Sequence, residues 1–319
     1  MDGVGTAARI RGAGTLAADD RYLWFGEAGG PGGSAAIRRI EVATATVLTI
    51  ATIPGGGAAE GIATNGADTV WVASGDVTGP AIYSVGTSPP YTVTRVTGSA
   101  PCAAAACYAD GPDGTATFGG IRGLTWYAGY LWIVDPPAAT IRRLDPATGD
   151  VTTIAGSAFQ YGALDGVGSA ARFNSPRYIV SDNSGVLYIS DTNGQAIRTL
   201  TVATTRVGTF AGVPVAPPGG AAMYVDGVGT AARIHRPRGI TSDGTSIYFV
   251  EFNYHTVRQG VLATQDVSTL AGMPMPTGGY AEGVGSAAQF DGPWSIAYHF
   301  PSNSLFVSDG GNNVIRRIQ

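Results

Sequence analysis

One eight-residue phrase recurs along this chain and constrains its fold more than any other feature. Copies of the pattern Asp/Glu-Gly-Val-Gly-Thr/Ser-Ala-Ala-Arg/Gln begin at Asp2, Asp165, Asp226 and Glu282. A looser copy begins at Asp110, and residues 57–62 form a degenerate copy between the first phrase and that one. Self-similarity at a fixed period is typical of repeat architectures and here predicts six units of about 54 residues. The units are residues 2–53, 54–99, 110–156, 165–212, 226–272 and 282–319, which we predict form one domain over residues 1–319.

Each unit contains short apolar segments with the composition of β-strands. In the fourth unit they cover residues 178–180, 186–189, 196–200 and 206–210, and we label such strands a to d in chain order. They are rich in β-branched and aromatic residues and are bounded by Gly, Asn or Asp, as strands and hairpins are. Repeated four-stranded antiparallel units bury both faces when they close around an axis. The sequence therefore predicts an all-β, six-bladed β-propeller of four-stranded antiparallel blades.

The order of motifs within a unit resembles the NHL repeat. The pattern runs Asp-Gly-x-Gly-x-Ala-Ala-Arg-Phe, Pro-x-x-Ile, Leu-Tyr-Ile-x-Asp, Ile-Arg-x-Leu and Val-Thr-Thr-Ile-Ala-Gly, and it covers nearly the whole chain, with unit two the weakest. The resemblance implies a six-bladed propeller. It implies no single function, because similar propellers include RNA-binding modules, adhesion domains and metal-dependent lyases and lactonases, and a fold alone does not decide among them.

An acidic residue ends strand b in five of the six units, and an arginine follows in strand c. The pairs are Glu27 with Arg38, Asp135 with Arg142, Asp191 with Arg198, Glu251 with Arg258, and Asp309 with Arg316. In four of the five pairs the acid and the arginine are seven residues apart. Across a hairpin, this spacing places a carboxylate beside a guanidinium, which binds it with two hydrogen bonds. The acids are either metal ligands or general bases, or members of a scaffold ion pair in each blade. Because catalytic groups are seldom repeated five times, we favour the scaffold.

The last unit has a third strand at Val314–Ile318 and no sequence for a fourth. We predict that the last blade lacks its outer strand within this chain. An unpaired strand edge is a template for association. The missing strand is expected either from a further segment of a longer protein or from a neighbouring chain, which would make the protein an assembly or filament subunit.

Composition excludes several kinds of chemistry. All 19 basic residues are arginine, which excludes lysine Schiff bases and P-loop lysines. The net charge of −4 gives no drive toward nucleic acid, and no apolar run reaches the length that spans a bilayer. Cys102 and Cys107, five residues apart in a loop, favour a local disulfide of an exported protein over a reduced pair or a metal site.

The residues at which each unit enters strand a are expected to form a ring around the channel. In successive units it contains Gly14, Glu60, Arg122, Arg177, Arg238 and Trp294. Together with Arg236 and His235, the three arginines and Trp294 predict a site for a carboxylate, sulfate, phosphate or acidic sugar at one end of the channel. The alternative is that these arginines pair with Asp135, Asp191 and Glu251.

Three side chains near one another in the fifth unit are weak candidates for a metal site: His235, His255 and Glu251. The alternative is that both histidines are ordinary surface residues, and we predict no cofactor. The main prediction is a non-catalytic binding or structural module of a secreted or cell-surface bacterial protein that binds a small anion, a glycan or a protein partner. A metal-dependent lyase or lactonase is the alternative.

Overall fold

Short β-branched and aromatic segments form strands in every unit of the chain. The computed structural model describes residues 1–27, 35–54, 57–76, 79–98, 108–216, 224–274 and 277–319. The strands of the first three blades are β1 (Gly3–Val4), β2 (Ala13–Ala18), β3 (Tyr22–Glu27), β4 (Ala36–Glu41), β5 (Thr46–Thr52); β6 (Ala59–Thr64), β7 (Thr69–Asp76), β8 (Gly79–Gly86), β9 (Val93–Thr97); β10 (Leu124–Tyr127), β11 (Tyr130–Asp135), β12 (Thr140–Leu144) and β13 (Val151–Ala155).

The second half of the chain repeats this plan. Its strands are β14 (Gly166–Val167), β15 (Pro176–Ser181), β16 (Val186–Asp191), β17 (Ala196–Thr201), β18 (Arg206–Gly212); β19 (Gly227–Val228), β20 (Pro237–Ser242), β21 (Ser246–Glu251), β22 (Thr256–Val261), β23 (Asp266–Ala271); β24 (Pro293–His299), β25 (Ser304–Asp309) and β26 (Val314–Ile318). Single 3₁₀ turns lie at Gly5–Ala7, Gly168–Ala170, Gly229–Ala231, Gly285–Ala287 and Phe300–Ser302.

The six sheets confirm the predicted six-bladed propeller, with one difference in strand number. Blades one, four and five have five strands, blades two and three have four, and blade six has three. The fifth strand is the Gly-Val pair of the recurrent phrase, which pairs antiparallel with strand d at the outer edge: Gly166 lies opposite Val207 and Val167 opposite Arg206. A two-residue strand has no alternating pattern, so the prediction of four strands per blade missed it.

The hydrophobic core lies between blades. Six clusters of buried side chains occupy the six interfaces between neighbouring sheets. The cluster between blades three and four joins Trp132 and Ile141 to Leu187 and Ile189, and it includes Ala171 from the recurrent phrase. The phrase needs a small residue at this position because the alanine is fully buried between two sheets.

The ring closes between blades six and one through side chains and the inner strands. Leu16 N donates to Ser295 Oγ at 3.0 Å, and Ser308 Oγ donates to Gly14 O at 3.1 Å. Phe306 of blade six packs in one cluster with Phe25 of blade one.

Within the described part of the chain, no helix has the length and apolar character needed to cross a membrane.

Candidate functional site

The acid that ends strand b is the centre of a hydrogen-bond network in each of five blades. In blade four, Asp191 Oδ2 lies 3.3 Å from Arg198 Nη1, and Asp191 Oδ1 accepts the backbone N–H of Asn174 at 2.8 Å. The same guanidinium binds Asp165, the first residue of the recurrent phrase, at 2.6 Å and the carbonyls of Leu164 and Arg172. This network ties strands b and c to the segment that leads into the blade.

The other four predicted pairs have the same geometry. The distances between arginine nitrogen and strand-b carboxylate oxygen are 2.9 Å for Arg38 and Glu27, 3.6 Å for Arg142 and Asp135, 2.8 Å for Arg258 and Glu251, and 3.2 Å for Arg316 and Asp309. The phrase acids Asp2, Asp110, Asp226 and Glu282 bind the same four arginines. Each of these arginines therefore binds one acid within its own blade and one acid in the recurrent phrase that precedes that blade.

Burial perturbs the carboxylates of this network. Removal from water raises the pKa of Asp191 to about 7 and that of Asp135 to about 6, and in each case this outweighs the opposing effect of the paired arginine. Burial also raises the pKa of Glu251 and Asp309. Because the same arrangement recurs in blade after blade, it fits a framework better than a reactive centre.

The inner strands meet at the channel, where glycine allows two backbones to touch. A Cβ on Gly123 would lie 2.7 Å from both Arg177 O and Tyr178 Cα of the next blade. A Cβ on Gly239 would lie 2.4 Å from Ser295 Cα. Since Arg122 and Arg238 directly precede these glycines, each is held beside the ring residue of the following blade. The close approach of the backbones thus brings the predicted ring of side chains together.

The predicted arginines of this ring differ in their partners. Arg122 forms an ion pair with Glu60 of the neighbouring blade. The Arg238 guanidinium lies 3.7 Å from the ring centre of Phe252 and 4.0 Å from that of Trp294. Among the described residues, no carboxylate pairs with Arg177 or Arg238. The alternative that these arginines pair with Asp135, Asp191 and Glu251 is wrong, because the strand-c arginines already bind those acids.

The unpaired arginines are crowded and partly removed from water. Burial, followed by the positive charges of Arg177 and Arg236, lowers the pKa of Arg238 to about 10. Burial and the charge of Arg122 also lower the pKa of Arg177. Nε and Nη1 of Arg238 and Nε of Arg177 are buried without a hydrogen-bond partner in the described structure. The channel mouth therefore holds positive charge and unsatisfied donors that a bound anion would complement.

Arg236 and His235 lie at the edge of this mouth. Arg236 is exposed and lies close enough to lower the pKa of His235, whose burial has the larger effect in the same direction. The His235 ring packs edge-on against Tyr254 at 5.1 Å, and its Nδ1 has no partner among the described residues. Arg236 thus adds positive charge to the mouth, whereas His235 adds an unpaired ring nitrogen and stays neutral at pH 7.

Of the three weak metal candidates, Glu251 and His255 have side chains that the scaffold engages. Glu251 Oε1 accepts the His235 backbone N–H at 2.6 Å, and Oε2 binds Arg258 and Thr256. His255 Nδ1 accepts the backbone N–H of Gly292 at 2.9 Å. The described residues contain no group of three or more His, Cys, Asp or Glu side chains arranged to hold a metal ion.

A cavity of about 500 Å³ opens beside the arginines, and the sequence did not reveal it. Its lining includes Arg122, Glu60 and Trp294 from the predicted ring. The lining also includes Phe252, which follows the strand-b acid of blade five. In the other blades that have this acid, the residue after it is smaller. An alignment of the repeats would therefore have singled out Phe252. Asp291 adds a half-exposed carboxylate. The small residues that line the cavity are Gly12, Ala13, Gly14, Gly26, Ala58, Ala59, Gly292, Gly310 and Gly311.

A second cavity, of about 480 Å³, lies at the other end of the channel among the a–b turns. Its polar side chains are engaged in turn structure: Asp19 accepts from the backbone N–H groups of Arg21 and Tyr22, and Asn65 accepts from three successive N–H groups. It lacks arginine. The positively charged end is therefore the better candidate for a binding site.

The predicted disulfide between Cys102 and Cys107 lies outside the described residues.

Comparison with known proteins bears on the fold. No family model matches the chain. A stretch of 136 residues, 40% of the chain, is 30% identical to Protein SUPPRESSOR OF QUENCHING 1, chloroplastic, from Arabidopsis thaliana, and covers 12% of that protein. A stretch of 147 residues, 43% of the chain, is 26% identical to NHL repeat-containing protein 2 from Bos taurus and covers 20% of it. The chain thus spans a fifth or less of the length of these curated relatives.

Solved structures match over the whole propeller. A structural genomics protein from Bacteroides thetaiotaomicron superposes with a TM-score of 0.72 at 19% identity, over 99% of this chain and 71% of that one. The chain has the NHL-repeat propeller fold. An auxiliary nutrient binding protein from the same organism gives a TM-score of 0.70 at 20% identity, over 98% and 69% of the two chains. An inactive virginiamycin B lyase from Staphylococcus aureus gives 0.55 at 17% identity, over 100% and 84%. At these identities the likeness shows the fold alone.

Proposed function

We propose that this single propeller domain is a non-catalytic binding module that holds an anionic ligand at the channel mouth of Arg122, Arg177, Arg236 and Arg238. The observation that carries the proposal is the pair Arg177 and Arg238, which are partly buried and without a described carboxylate partner. An uncompensated buried charge is costly, and an anion bound by charge-assisted hydrogen bonds relieves that cost.

The proposal is tested with Arg177→Gln and inorganic phosphate, using calorimetry at low ionic strength. We expect phosphate to bind about tenfold more weakly to the variant, since one charge-assisted hydrogen bond is lost. The matched control is Arg206→Gln, because Arg206 is an exposed arginine on β18 of the same blade and the substitution changes the net charge equally. Equal phosphate affinity for wild type and Arg177→Gln would refute the proposal.

We also propose a secreted or cell-surface location. The support is the predicted Cys102–Cys107 disulfide, together with the shared fold of the auxiliary nutrient binding protein. Alkylation of the unreduced, denatured protein followed by mass spectrometry should leave both cysteines unmodified. Modification of both would contradict the disulfide. The lyase or lactonase alternative stays a prediction.

A second binding surface is proposed at the outer edge of blade six, where β26 pairs only with β25. In the complete blades, an acid of the phrase accepts from a strand-d threonine: Thr153 N donates to Asp110 at 2.8 Å and Thr269 N to Asp226 at 3.1 Å. Glu282 is held by Arg316 in the same way, but no described strand lies beside it, and Val284 is 92% exposed. This edge therefore fits an added strand of the strand-d type.

A synthetic peptide with the sequence of β23 and its flanking residues, 264–272, tests the strand proposal. We expect it to bind and to raise the melting temperature, because it restores pairing to β26 and a threonine to Glu282. A peptide in which the residue equivalent to Thr269 is valine is the matched control and should bind more weakly. No binding of the first peptide, or equal binding of both, would contradict the proposal.

A further inference from the structure

The positively charged mouth and the neighbouring cavity have opposite chemical character. Blades three to five contribute Arg122, Arg177 and Arg238. Blades six, one and two contribute mainly glycine and alanine to the lining of the cavity, together with the carboxylates of Asp291 and Glu60. Trp294 and Phe252 belong to both regions, since they line the cavity and their rings contact the Arg238 guanidinium. A ligand held by the arginines therefore extends naturally into a space with small, mostly apolar walls.

Besides the carboxylate of Asp291, the cavity offers few free hydrogen-bonding groups, because the protein has already paired many of those in its walls. Gly12 N donates to Asn313 Oδ1 at 3.0 Å, Gly292 N to His255 Nδ1 at 2.9 Å, and Gly311 N to Asp291 O at 2.8 Å. Glu60 and Arg122 pair with each other. A polyhydroxylated body such as a sugar would lose water in this space and gain few partners other than that carboxylate, and that loss is unfavourable.

We infer that the ligand is an amphipathic anion, with a charged group at the arginines and an apolar body at least as large as an aromatic ring in the cavity. The inference deepens the proposed function and rests on it. The cavity volume of about 500 Å³ lies in the range of small-molecule sites. Burial of apolar surface then adds affinity that an inorganic anion cannot obtain.

Three probes with the same charged group separate the contributions: inorganic phosphate, glucose 1-phosphate and phenyl phosphate. For the wild-type protein we expect phenyl phosphate to bind at least about tenfold more tightly than either of the others, because only its body suits apolar walls. Equal affinities for phenyl phosphate and inorganic phosphate would overturn the inference. So would a preference for the glucose ester.

Gly14 provides a variant that fills the cavity and leaves the arginines unchanged. It lines the cavity, and a Cβ there would come no closer than 3.4 Å to any heavy atom beyond its chain neighbours, an ordinary contact. In Gly14→Leu we expect the advantage of phenyl phosphate to disappear while inorganic phosphate binds as before. Ala17→Leu is the matched control, because Ala17 lies on the same strand at the opposite mouth. Gly14→Ala replaces the leucine variant if that one fails to fold.

The outcomes distinguish the inference from the proposed function. If Arg177→Gln weakens all three phosphates but Gly14→Leu leaves phenyl phosphate unaffected, the anion site stands and the apolar body is wrong. If phosphate and its esters do not bind, or if Arg177→Gln binds them as wild type does, both are wrong. Loss of only the phenyl advantage in Gly14→Leu, with loss of all three affinities in Arg177→Gln, supports both.

Discussion

The propeller uses arginine in two ways that differ only in the strand that carries it. The five strand-c arginines that follow a strand-b acid are buried and each binds two carboxylates, as Arg198 binds Asp191 and Asp165. The strand-a arginines Arg177 and Arg238 bind no described carboxylate, and they lie beside other positive charges. The comparison teaches that position within the blade, and not residue type, separates framework from binding site. Three measurements test this separation.

The largest effect is expected from Arg198→Ala. It leaves Asp191, which is fully buried, without its charged partner, and loss of one member of a buried pair typically costs about 3–5 kcal/mol. Phosphate affinity should stay unchanged. Chemical denaturation measures the free energy of unfolding, with Arg206→Ala as an exposed control from the same blade. A loss below about 1 kcal/mol would contradict the framework role.

A smaller, pH-dependent effect is expected from Asp191→Asn. The pKa of Asp191 is about 7 in the folded protein, against about 3.9 in an unfolded chain. Between these values the folded state keeps a proton that the unfolded state has released. The contribution of this carboxyl to the free energy of unfolding therefore falls as the pH rises from about 4 to about 7.

Asp191→Asn removes that dependence. We expect the difference in unfolding free energy between variant and wild type to shift in favour of the variant over this pH range, by at most about 1.4 kcal/mol per pH unit. Denaturation at pH 4, 5.5 and 7 measures it. A constant difference across the three pH values would show that Asp191 has the same pKa in both states.

The smallest effect concerns the strand-a arginines. Trp294 and Phe252 both contact the Arg238 guanidinium, and such contacts typically contribute about 0.5–1 kcal/mol at partly exposed sites. A double-mutant cycle of Trp294→Leu with Arg238→Gln should give a coupling energy of this size. The same cycle with Arg206→Gln should give none, and equal coupling in both cycles would refute the specific contact.

The sequence was sufficient for the fold because the signals are local. The recurrent phrase fixes the unit, and short bounded segments fix the strands. The partner of Arg198 could also be anticipated, since Asp191 is only seven residues away across a hairpin. The two-residue strand at Gly166–Val167 was missed because its pairing with β18 joins residues about 40 positions apart without any periodic pattern.

The candidate site was only partly predictable because its contacts cross blades. The order of the repeats identified Arg122, Arg177 and Arg238 as one ring. The partner of Arg122, Glu60, lies 62 residues earlier. Phe252 lies on a different strand connection from Trp294, although both touch one guanidinium. Such pairings depend on how neighbouring sheets are placed around the axis, which no spacing within one repeat encodes.

The close backbone contacts at Gly123 and Gly239 have a consequence for the stability of the protein. At Gly123 the steric fit of the main chain holds Arg122 beside Arg177. Arg122 pairs with Glu60, but Arg177 and Arg238 have no carboxylate partner among the described residues. The mouth is thus a region of locally uncompensated positive charge beside a framework whose arginines are paired with carboxylates. Occupancy by a complementary anion would compensate that charge, and thermal stability should report ligand binding even where the backbone does not move.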